Sequence, residues 1–91
     1  RMNASRRKQI RALAALDPLV SLGGGVVLAN LIWRVEHEPT APLRWYECFS
    51  LDSALWVHRD RLAGAGLELP SSPPDRREYQ PLTFGAQRRL F

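Results

Sequence analysis

At 91 residues the chain makes one domain, residues 1–91, with a small core and no room for a second. Its 45% hydrophobic and 24% charged residues exclude disorder driven by low hydrophobicity, and the longest uncharged stretch, 18–33, is too short and glycine-interrupted to span a membrane. Thirteen basic residues against nine acidic ones give a net charge of +4, and all the basic residues but Lys8 are arginine, whose planar fork pairs with phosphate or carboxylate.

Residues 4–16 place Ile10, Leu13 and Ala14 at helical spacing, with Asn3 or Ser5 available as caps, which predicts a first amphipathic helix. It ends near Asp17, because the residue before Pro18 is pushed out of the helical region. Residues 19–22 read as a short helical turn or a loop. In Gly23, Gly24 and Gly25, glycine would let backbone N–H groups approach an anion. The run lacks the Lys-Ser/Thr pair of a phosphate loop and the spaced glycines of a dinucleotide fingerprint, so it reads instead as a flexible helix entry or a close helix-helix contact.

Residues 26–37 put Val27, Leu28, Leu31, Ile32 and Val35 on one face, which predicts the central core helix and leaves Trp33 and His37 outside the apolar stripe. Glu38 and Pro39 stop it. Residues 43–49 alternate Leu43, Trp45 and Phe49 with Arg44, Tyr46 and Cys48, the pattern of a short strand. Ser50 then reads as the cap of a third helix over 51–63, with Leu51, Leu55 and Leu62 inward and Arg59 beside Asp52 or Asp60. Gly64 or Gly66 ends that helix. The expected core covers about 4–70, followed by a Ser/Pro-rich loop at 70–75 and a basic segment at 76–91 in which Leu82 and Phe84 suggest one more strand. The sum is an α+β domain of three helices with a two- or three-stranded sheet.

Catalysis needs convergent groups, and two histidines, one cysteine and nine scattered carboxylates form no nucleophile-base pair and no metal spacing. A non-catalytic binding protein without cofactor, metal or small-molecule substrate is expected. His37 suits a helix C-terminus, where a cation is favoured, and His58 falls on the leucine face. The lone Cys48 has no internal disulfide partner, which fits a reducing compartment; no secretory leader or membrane anchor is read, so the expected location is cytoplasmic.

The order of a central apolar helix (GGGVVLANLIWRVEHE), an aromatic-bearing strand (LRWYECF) and a helix ending in LAGAGLEL resembles winged-helix domains of bacterial, phage and plasmid replication or regulatory proteins. The matching residues are Leu31, Ile32 and Trp33, then Leu62, Gly66 and Leu67, within about 22–69. Between Phe49 and Leu51 there is no space for the helix that normally precedes a recognition helix. The resemblance implies a helix-turn-helix that offers Ser53, Trp56 and Arg59 to a DNA groove, with Arg76 and Arg77 near a wing. Arg6, Arg7, Lys8 and Arg11, which precede the first acid, Asp17, are the expected phosphate contacts. Asp52 and Asp60 on the groove-facing side would be repelled by phosphate.

A second reading is a small phage- or plasmid-type adaptor or inhibitor of a larger protein complex, or a homodimer. Its anchors would be Trp33, Trp56, Tyr46, Leu90 and Phe91. Trp56 lies on the polar side of its helix, which suits either an interface or cover by Leu82 or Phe84.

Overall fold

The computed structural model describes residues 2–17, 21–23 and 25–81. Among them are four helices, one short strand pair and a 3-10 turn, so the protein is a small helix-rich domain compatible with the α+β class. The first helix, α1 (Ala4–Leu16), opens at Asn3, whose side chain accepts the Arg6 N–H at 2.8 Å, and closes at an extended Asp17. A hairpin follows, β1 (Ser21–Gly23) against β2 (Val26–Val27), antiparallel with Ser21 opposite Val27 and Gly23 opposite Val26. Gly25 takes φ +80° in its turn, a value that L side chains rarely adopt. In place of the expected flexible helix entry there is thus a hairpin, with Gly23 ending β1 and Gly25 in its turn, and Leu22 belongs to a strand.

The second helix, α2 (Leu28–His37), leaves the hairpin directly and ends at Glu38, before Pro39. The third, α3 (Trp45–Val57), overturns the strand expected at 43–49 and makes Ser50 a buried mid-helix residue and not a cap. The physical reason lies in its buried set, Glu47, Ser50, Leu51 and Leu55, which has helical spacing across the presumed boundary. Glu47 also starts the helix, accepting the Arg44 backbone N–H at 2.7 Å from its third position, and so satisfies an end donor.

The expected helix over 51–63 is therefore the end of α3, a break at His58, and the short α4 (Arg59–Leu62). Gly64 and Gly66, at φ +83° and +74°, turn the chain away. The only sheet among the described residues precedes α2, and no strand follows α4 there, so a winged-helix sheet is not seen.

The core joins all these elements. Ile10 and Leu13 of α1, Leu28 and Leu31 of α2, and Leu51 and Leu55 of α3 are at most 1% exposed, with Met2, Leu22, Val26, Val35 and Leu62 around them. Burial of this kind stabilises by about 1.5–3 kcal/mol per large aliphatic side chain. Leu67 and Leu69 extend the core past α4, and the chain returns at a 3-10 turn (Arg76–Glu78), started by Asp75 accepting the Arg77 N–H.

Two ion pairs fix the helices further. Arg34 donates to both oxygens of buried Glu47 at 2.6 Å and to the Pro42 carbonyl at 2.7 Å, strapping α2 and the connection 38–44 to α3. Arg6 on α1 grips both oxygens of Asp52 on α3 and also donates to Gln9, whose amide reaches the Glu68 carbonyl at 2.8 Å. No helix among the described residues is long and apolar enough to cross a membrane.

Candidate nucleic-acid interface

The helix α1 contains no Asp or Glu, and its residues 7, 8 and 11 share one side because residues three and four apart are neighbours. Lys8 and Arg11 are exposed, and neither makes a hydrogen bond or ion pair among the described residues. Arg7 leans back to donate to the Met2 carbonyl at 3.0 Å. Arg6 has a different place from its neighbours. Its ion pair with Asp52 raises the guanidinium above its already high pKa and holds it against the body of the domain.

The same contact changes the meaning of Asp52. Its carboxylate accepts from Arg6 and, at 2.6 Å, from the Tyr79 hydroxyl, so its charge is compensated within the fold. Burial and that acceptor push the Tyr79 phenol up to about 12. Arg59 forms no ion pair with Asp52 or Asp60 among the described residues. Its guanidinium lies 3.8 Å from the centre of the Trp56 ring and donates to the Trp56 carbonyl at 2.6 Å. Ser53 and Trp56 are half-buried on α3, and Trp56 meets Arg59 across the helix break.

A second feature was not legible as a site. Trp45, Tyr46 and Phe49 lie outside the buried face of α3 and line a groove of about 520 Å³ whose other walls include Leu22 and Arg76. Tyr46 meets the Trp45 ring edge-on, Phe49 meets Tyr79 likewise, and the Arg76 guanidinium is 5.4 Å from the Trp45 ring centre. Arg44 donates to the Tyr46 hydroxyl at 2.8 Å, and that bond raises its pKa. Among the described residues no carboxylate lines the groove. Strand geometry would have sent Trp45 and Tyr46 to opposite faces; the helix puts Trp45 and Phe49 one turn apart.

Elsewhere, Arg77 is paired with Asp75 at 2.9 Å, which holds the Asp75 carboxyl below its usual range. Arg76 and Arg77 sit on the 3-10 turn, and no strand lies beside them in the chain among the described residues. Trp33 is 52% exposed and stacks on His37, ring centres 4.6 Å apart, while the His37 Nδ1 lies 3.0 Å from the Trp33 carbonyl in the last turn of α2. Half-buried His58 occupies the break between α3 and α4. Burial pushes the Cys48 thiol up, against thiolate chemistry. No three His, Cys, Asp or Glu side chains converge as a metal site among the described residues. Leu82, Phe84, Leu90 and Phe91 lie outside the described residues.

Fold and site thus define a small helical domain with a basic helix and an arginine-rimmed aromatic groove. No family model, no curated protein and no solved structure matches the chain.

Proposed function

We propose that the domain is a non-catalytic nucleic-acid-binding module in which Lys8 and Arg11, with Arg7 beside them, engage phosphates. The observation that supports this most is the acid-free α1 with two exposed cations, Lys8 and Arg11, that are unpaired among the described residues. Cations without a partner among the described residues are available to a polyanion, whereas Arg6 and Arg77 are committed to carboxylates. Internal compensation of Asp52 also removes one of the two repulsive charges near Ser53, Trp56 and Arg59. Asp60 remains exposed.

A regulatory or replication role of winged-helix type is the finer form of this proposal. In it α2 and α3 would be the helix pair that meets DNA. Their connection, 38–44, is longer than the roughly three- to four-residue turn of a helix-turn-helix, and the Arg34–Glu47 ion pair joins the two helices across it.

The test is fluorescence anisotropy of labelled oligonucleotides titrated with the protein at low and near-physiological salt. Binding should weaken steeply with salt, and Lys8→Ala with Arg11→Ala should lower the slope by about two phosphate contacts. An absence of binding at low salt would refute the proposal. The exposed Trp33 and the 70% exposed Val57 favour a protein partner as the second reading, since large apolar side chains left open are common anchors. An interface built on them would persist at high salt.

A further inference from the structure

We infer that the groove on α3 is the seat of an unpaired nucleobase, which makes single-stranded nucleic acid the preferred ligand; this rests on the nucleic-acid reading above and goes beyond it. A base within a duplex keeps its flat faces covered by its neighbours, so only an unpaired base can present a face to a side chain. The groove offers two aromatic rings one helical turn apart, Trp45 and Phe49, with Tyr46 packed edge-on against the first. Its volume of about 520 Å³ falls within the range of small-ligand pockets, roughly 300–1,000 Å³.

Charge selects the occupant. The groove has Arg76 on its wall and, among the described residues, no carboxylate lining, so a flat body attached to an anion fits it better than a neutral apolar chain. Arg76 stands 5.4 Å from the Trp45 centre, against 3.8 Å for Arg59 over Trp56, and is therefore loosely seated. The base takes the position over Trp45, and Arg76 turns outward onto the adjoining phosphate. Further phosphates fall to the α1 cations, which an acidic, aromatic peptide short enough to fill only the groove would leave unused.

The experiment uses the full chain with a fluorescein-labelled single strand of about 12 nucleotides, within the span of typical single-strand sites, and with its duplex. Trp33→Phe and Trp56→Phe make Trp45 the sole tryptophan and its emission a direct probe of stacking. Single strand should quench Trp45 and bind more tightly than duplex. Trp45→Ala should weaken single-strand binding roughly 5- to 100-fold while changing duplex binding less than about twofold. Trp45→Phe keeps a stacking face and should retain most of the affinity, and the exposed Arg76→Ala should lower the single-strand salt slope by about one.

Equal loss on both strands, or no loss with Trp45→Ala and Arg76→Ala, overturns the groove assignment and leaves the α1 reading standing. Binding to neither form overturns both. Quenching of Trp45 by an acidic aromatic peptide that oligonucleotides do not displace assigns the groove to a protein partner instead.

Discussion

The Arg6 guanidinium holds both oxygens of Asp52, at 2.5 and 3.1 Å, and ties α1 to α3 across 46 positions of sequence. Arg6 is thereby a structural residue, unlike Lys8 and Arg11 on the same helix. Arg6→Ala should lower stability by about 1.5–3 kcal/mol, the range for hydrogen bonds to charged groups. Urea denaturation would measure this. Lys8→Ala and Arg11→Ala should each stay within about 0.5 kcal/mol of the parent while weakening oligonucleotide binding. A stable Arg6→Ala protein with reduced salt dependence would reverse these assignments.

Glu47 is buried at the start of α3 with two donors converging on it, the Arg34 Nη1, which reaches both carboxylate oxygens, and the Arg44 backbone N–H. Glu47→Ala would leave Arg34 without its charge partner and should destabilise by about 3 kcal/mol, the lower end for a buried pair because Arg34 keeps some solvent contact. A double-mutant cycle with Arg34→Ala should return a coupling of about 1–3 kcal/mol. Additive effects would mean that the strap does not act as a pair.

Leu31 of α2 and Leu55 of α3 are both fully buried in the one hydrophobic core. Leu31→Ala or Leu55→Ala should each destabilise by roughly 2–5 kcal/mol, the cost of lost transfer energy plus a cavity. Thermal or chemical denaturation monitored by circular dichroism checks it. A shift under about 0.5 kcal/mol at either site would contradict the packing described.

Tyr79 gives the fold an alkaline limit. Its folded pKa, about 12, lies above the roughly 10 of an exposed tyrosine. The protonated phenol is thus the form the fold prefers, and its contribution is complete below about pH 10 and is lost as pH rises through about 12. Stability should fall over that window, and Tyr79→Phe, which retains the ring against Phe49, should reduce the fall. An identical alkaline profile in both proteins would rule out Tyr79 as the titrating group.

Much of the architecture was legible because apolar spacing and chain breakers agree. Ile10 and Leu13, the Leu28/Leu31/Val35 stripe, Pro18 and Pro39 gave two helices close to their true limits. The 43–49 segment misled for a physical reason: two positions of its buried face are Glu47 and Ser50, so the helical period is hidden in polar residues while the aromatics mimic alternation. The hairpin was hidden by brevity, since three residues facing two contain no period to detect. At the candidate site, Lys8 and Arg11 could be read from charge alone. The capture of Arg6 by Asp52, and the groove formed by Trp45 and Phe49, depend on long-range packing and on the identity of an element that spacing had misassigned.

The return of the chain at Tyr79 sets an order of events in time. Beyond Leu69, the described contacts that bring the segment back to the helices are few: the Tyr79 hydroxyl on Asp52, its ring on Phe49, and Arg76 over Trp45. Such a segment opens with a smaller free energy than the leucine-packed helices and so exchanges its amides and meets proteases first, at the exposed serines 71 and 72. Arg76 is part of this strap, so one wall of the groove belongs to a segment held by few described contacts. Anything held between Arg76 and Trp45 must hold the strap closed, and by linkage it shifts the closing equilibrium by the same factor by which strap closure tightens its own grip.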